Sequence, residues 1–79
     1  MNMEERFGRL IKMKGTVKFF DNVKKYGFIK PEDKQEEDHF FHESNIKGNY
    51  TPEEGDEVEF DSELEEKGFQ ALNVKKIKD

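Results

Sequence analysis

The chain has 79 residues, 42% of them charged, a formal net charge of −5 and no cysteine. Such a length allows one domain, and the absence of cysteine excludes disulfides and thiolate metal sites. No apolar stretch approaches the roughly 20 residues of a membrane-spanning helix, and the opening MNMEERFGRLIKM lacks the continuous apolar run of a secretion signal, so a cytoplasmic location is expected. The high charge content would suit a disordered chain, but aromatics reach 13%, with eight Phe and two Tyr, and the apolar residues fall in short alternating runs.

In chain order, residues 1–12 read as an N-terminal extension and 13–79 as the domain. Phe7, Leu10 and Ile11 share one face of a helical turn, but Gly8 interrupts it and so short a helix is marginal in water. A frayed arm and an added cap both fit. From Met13 the pattern turns β. KGTVKFFD at 14–21 predicts a first strand, followed by a short link at 22–25. YGFIK at 26–30 predicts a second, stopped by Pro31. A charged turn at 32–37 leads to a third strand, DHFFH at 38–42, and Ser44-Asn45-Ile46 fits one helical turn. A loop at 47–55 carries Gly48, Asn49, Pro52 and Gly55. EVEFD at 57–61 alternates strictly, a charged turn spans 63–68, and FQALNVKKI at 69–77 predicts the last strand. Five short strands with turn-like links predict an all-β fold, a small closed barrel without a long open edge.

Side chains alternate between the faces of a strand. Val17, Ile29, Phe41, Val58, Phe60, Leu72 and Val74 suffice to fill the inside, which leaves Tyr26, Phe28, Phe40 and His42 on the outer face, edged by Lys18, Lys24, Lys25 and Lys30. Gly27, between two aromatics, suits close packing on the inner side. Bases of an unpaired strand stack on aromatic rings for about 1–3 kcal/mol each, and neighbouring lysines neutralise phosphates. The charge is divided accordingly. Residues 1–30 hold eight Lys/Arg against three Asp/Glu, 31–66 hold two against fifteen, and 67–79 hold four against one. A local basic patch can therefore bind a polyanion despite the net charge. The acidic middle reads as a solvated surface.

These segments resemble the cold-shock domain family over Met13–Ile77. Gly15-Thr16-Val17-Lys18-Phe19-Phe20 resembles the family's G-x-V-K-W-F, and Lys24-Lys25-Tyr26-Gly27-Phe28-Ile29 its first nucleic-acid motif, K-G-F-G-F-I. Asp38-His39-Phe40-Phe41-His42 resembles the second, D-V-F-V-H. Ser44-x-Ile46, Glu54-Gly55-x-x-Val58-x-Phe60 and Lys67-Gly68-x-Gln70-Ala71-x-Asn73-Val74 are similar to its later segments. The resemblance implies a five-stranded antiparallel barrel of OB type that binds single-stranded RNA and DNA, as a passive RNA chaperone or regulator of transcription or translation. It adds Phe19, Phe20, Tyr50, Phe69 and Gln70 to the expected binding residues. The chain departs from the pattern at Phe19, where the family has Trp, at Lys25 for Gly, at Glu43 for an aromatic, and at His39 for a core aliphatic. The loop after Ile46 is about two residues short, with Tyr50 its sole aromatic. Fewer stacked bases are expected.

Other classes find less support. His39 and His42 point to opposite faces of one strand and cannot chelate one metal, and the carboxylate run at 36–38 reads as solvated. No nucleophile has an evident base and no phosphate-cradling loop appears, so neither an enzyme nor a cofactor or small-molecule substrate is expected. The competing reading is an OB-barrel adaptor that offers its acidic surface to a protein partner. The outward aromatic set, for which such an adaptor has no need, argues against it. A monomer is expected.

Overall fold

The computed structural model describes residues 8–77. Its strands are β1 (Ile11–Asp21), β2 (Tyr26–Pro31), β3 (His39–His42), β4 (Glu57–Glu65) and β5 (Gly68–Lys76), with a single 3-10 turn, η1 (Glu43–Asn45), after β3. They close into a barrel in the order β1-β2-β3-β5-β4. Four seams are antiparallel. The fifth is parallel, through Phe40↔Gln70 and the bridge Ile46↔Val74.

Two strands run further than their apolar alternation implies. β1 starts at Ile11, three residues before Lys14, because Lys12 and Lys14 stand opposite Asp61 and Glu59 across the β1–β4 seam. Opposite charges in register favour pairing. Of the candidate helical face, Ile11 opens β1, Leu10 is exposed, and Phe7 lies outside the described residues. β4 continues past Asp61 to Glu65, so the expected turn at 63–68 shrinks to Glu66-Lys67, and Gly68 takes the positive φ, 131°, at which β5 begins. Pro31 ends β2 from within it, buried. The β1–β2 link is an Asx turn. Asp21 Oδ1 accepts from the backbone N–H of Val23 and Lys24 at 2.9 and 3.0 Å.

The core consists of Val17, Ile29, Phe41, Val58, Phe60, Ala71 and Val74. Leu72, expected inside, is only half-buried, and Ala71 takes its place. The cause is a bulge. β4 and β5 pair at Glu59↔Lys75 and then at Asp61↔Leu72, so Asn73 and Val74 oppose Phe60 alone. Asn73 has φ 52°, a left-handed conformation that Asn tolerates better than most residues. One extra residue reverses the alternation, so Ala71 and Val74, three apart, both point inward.

His39 is fully buried within the barrel. Its Nδ1 lies 2.7 Å from the Glu37 carbonyl, which can only accept, so Nδ1 carries the proton. Nε2 lies 2.6 Å from the Ser62 hydroxyl, which can complete its hydrogen bond in either direction. The ring also packs on Phe60 and Phe69. A neutral imidazole with both nitrogens bonded is tolerated where an aliphatic would otherwise sit.

Candidate nucleic-acid interface

A second bulge shapes the outward aromatic face. β1 and β2 pair at Val17↔Ile29 and then at Phe19↔Phe28, passing over Lys18. Without the bulge, Phe19 would follow Val17 inward and Phe20 would point out. With it, Phe19 turns outward and Phe20 inward. Phe20 therefore lies outside the outward cluster: it is half-buried and stacks on the core ring of Phe41 at 5.8 Å.

Phe19, Tyr26, Phe28 and Phe40 form one outward cluster. Ring centroids are 5.6 Å apart for Phe19–Phe28, 5.8 Å for Phe19–Tyr26, Tyr26–Phe40 and Phe28–Phe40, and 6.3 Å for Tyr26–Phe28. Phe19 is 39% and Phe40 36% exposed, high for rings of this size outside a partner's grasp. The backbone lies close beneath them. A Cβ on Gly27 would run into the Phe19 carbonyl oxygen and reach Phe41, so glycine is required there. His42 stands opposite Tyr26 across the β2–β3 seam, exposed, with Nδ1 accepting from the Ser44 backbone N–H at 3.1 Å. This hydrogen bond and that from His42 N–H to Asn45 Oδ1 at 2.8 Å begin η1.

Of the lysines expected to edge the cluster, Lys18, Lys24, Lys25 and Lys30, all but the half-buried Lys25 are exposed, and two face carboxylates. Lys18 Nζ is 2.8 Å from Asp38, and Lys25 Nζ is 4.0 Å from Glu43. Lys25 itself takes φ 63° at the end of the Asx turn, where the family motif carries glycine. Glu43 opens η1 beside His42, exposed at the rim.

Two further expected residues lie apart from the rings. Tyr50 is half-buried against the core, and its hydroxyl donates to Asp56 Oδ2 at 2.6 Å. Burial and this bond push the phenol far above its ordinary range, and the same bond holds the Asp56 carboxyl below its own. Phe69 pairs with inward Leu64 and packs on buried His39, 5.0 Å between centroids. Both rings pack on the barrel, Tyr50 against the core and Phe69 against His39, and neither joins the outward cluster. Gln70 does join the face, opposite Phe40. Asn45, overlooked in the sequence, lies beside it, with its Oδ1 3.2 Å from the Gln70 side-chain amide. Among the described residues no group of His, Asp or Glu has the arrangement of a metal site, and no helix is long and apolar enough to cross a membrane.

A family model described as the 'Cold-shock' DNA-binding domain matches residues 13–77. The chain belongs to the cold-shock domain family. It is 51% identical over 65 residues to the major cold shock protein of Micrococcus luteus, covering 80% of this chain and 96% of that one. It is 49% identical to the cold shock-like protein CspB of Yersinia pestis (80% and 91%), and 44% identical to CspC of Escherichia coli K12 (86% and 100%). Among solved structures it is similar to drosophila Unr CSD456, with a TM-score of 0.69 and 25% identity over 86% of this chain, which spans 27% of that one. The barrel is thus an OB-fold of the cold-shock type.

Proposed function

We propose that this cold-shock domain binds single-stranded RNA and DNA in the cytoplasm by stacking bases on Phe19, Tyr26, Phe28, Phe40 and His42. Family membership supports nucleic-acid binding in general. The observation that carries the finer reading is the cluster of four outward rings on a barrel whose core is complete without them. Rings held 5.6–6.3 Å apart on a sheet offer successive faces to successive unpaired bases. A duplex hides those faces and leaves only phosphates to attract.

Lys24 and Lys30, with Lys18 and Lys25 once released from Asp38 and Glu43, follow the backbone. Such a protein acts without hydrolysis, as a passive RNA chaperone: it traps melted segments and shifts hairpins toward the open form by mass action. The test is a fluorescence titration of Tyr26 in a Tyr50→Phe background, with an unstructured oligopyrimidine and its blunt duplex at one salt concentration. Tight binding of the single strand and weak binding of the duplex are expected. Equal affinities would overturn the stacking mechanism.

A further inference from the structure

The aromatic row does not end at Phe40. The pairs Phe19↔Phe28, Phe28↔Phe40, Phe40↔Gln70 and Glu63↔Gln70 carry one line of outward side chains across all five strands. Residues paired across a seam project to the same side, so three rings are followed by an amide and then a carboxyl. A base stacked on Phe40 lies one strand spacing, roughly 4.8 Å, from Gln70 and about twice that from Glu63. Its edge, not its face, meets these groups.

That end of the row is crowded with hydrogen-bond acceptors. Gln70 Nε2 donates to Asn45 Oδ1, which already accepts the His42 N–H. In this orientation the Gln70 carbonyl faces the Glu65 carboxylate. Turning the amide over lets its NH2 donate to the Glu65 oxygens at 2.6 and 2.9 Å, but brings its own oxygen 3.2 Å from Asn45 Oδ1. One NH2 group thus stands between two sets of acceptors and serves one at a time. Glu63 adds a further carboxyl. Its hydrogen bond with Glu65, and then burial, hold its pKa above the ordinary carboxylate value.

Building on the single-strand reading above, we infer that Gln70 and Glu63, with Glu65 behind them, form a base-edge subsite that selects nucleobases bearing an exocyclic amino group over uracil and thymine. An amino group brings N–H donors to the acceptors. Carboxylates accept from cytosine N4 in this manner. Uracil and thymine instead set carbonyl oxygens on both sides of their one imino N–H, and these face the carboxylates unfavourably. Cytosine and thymine are alike in size and stack on Phe40 similarly, so their difference isolates the edge.

The test walks a single cytosine along a short oligothymidylate and measures each affinity by fluorescence anisotropy. One position is expected to bind roughly five- to tenfold tighter with cytosine, the low end of base-edge discrimination. Glu63→Gln and Glu65→Gln, each confirmed folded by circular dichroism, should bring that ratio close to one. If no position distinguishes cytosine, or the preference survives unchanged in both variants, the subsite is refuted while stacking stands. If no oligonucleotide binds at all, the single-strand reading falls and the subsite falls with it.

Discussion

Phe28 and Phe41 are neighbours in kind and opposites in role, and truncating each to alanine separates stacking from packing. Phe41 is wholly buried in the barrel core. Removing a buried phenyl typically costs about 3–5 kcal/mol, against a total stability of roughly 4–12 kcal/mol for a 79-residue domain at typical values per residue. Phe41→Ala should therefore lose a large share of the folding free energy. Phe28 is half-buried, and what covers it is the other rings: Phe19 at 5.6 Å, Phe40 at 5.8 Å and Tyr26 at 6.3 Å. An aromatic pair adds about 0.5–1.5 kcal/mol, so Phe28→Ala should cost about 1.5–2 kcal/mol of stability, the low end of the sum over its three ring neighbours, because the ring is only half-buried. Its binding loss should be about 1–3 kcal/mol, or roughly 5- to 150-fold in Kd. Urea unfolding gives the stabilities, and oligonucleotide titration of the folded fraction gives the affinities. A Phe28→Ala protein that unfolds while Phe41→Ala is silent would invert the two faces of the barrel. A folded Phe28→Ala protein with unchanged affinity would remove this ring from the binding path.

The salt dependence of binding should be shallow: log Kobs changes by about −0.7 per phosphate neutralised on a single strand. Lys24 and Lys30 alone would give a slope near −1.4, and adding Lys18 and Lys25, which face Asp38 and Glu43, a slope near −2.8; a much steeper value would mean that other lysines track the strand. Glu43→Phe should tighten binding by at least about 1 kcal/mol, since it adds a stacking surface at the rim, removes a negative charge and releases Lys25. The charge part should fade with salt while the stacking part persists, and unchanged affinity in a folded variant would place residue 43 off the path. Asp56 is held low mainly by the Tyr50 hydroxyl, so its ionised form favours folding above the ordinary carboxylate range and that contribution is lost as the pH falls through the lowered value. Tyr50→Phe should cost about 0.5–1.5 kcal/mol at neutral pH and move the onset of acid unfolding to higher pH; Glu63, shifted upward, works in the opposite direction. An unaltered acid limb in Tyr50→Phe would show that Asp56 owes little to that bond.

The barrel and its ring cluster were legible because strand alternation has a period of two, and the outward positions Tyr26, Phe28, Phe40 and His42 follow from counting. Counting fails where a residue is inserted. The bulge at Lys18 exchanges the faces of Phe19 and Phe20, and the bulge at Asn73 exchanges Leu72 for Ala71. Asn73 carried a signal, since Asn accepts positive φ more readily than most residues, but nothing local marks Lys18. Tyr50 lies in a loop and Phe69 just after a tight turn, so neither has enough periodic neighbours to fix its side. Buried His39 depends on Ser62, 23 residues distant, a pairing that no pattern within either strand reveals. The Gln70–Glu63 pairing is of the same kind, since it appears only once the β4–β5 register is known.

In the proposed binding mode, the carboxylates around the face weaken the general attraction for phosphate. Asp38 holds Lys18, Glu43 lies near Lys25, and Glu63 and Glu65 close the far end of the row. All act on phosphates within the screening distance of roughly 8–10 Å, and all weaken the general attraction that any nucleic acid would feel. That attraction is nearly all a duplex has to offer, because its base faces are stacked on one another. A single strand keeps the stacking contribution, which the carboxylates do not touch. Lowering the electrostatic contribution therefore costs the duplex a larger fraction of its binding than the single strand. In the proposed mode, an acidic rim around an apolar aromatic face leaves the duplex little binding of its own, and the shift of a hairpin toward its open form is then set by the protein concentration relative to the single-strand Kd.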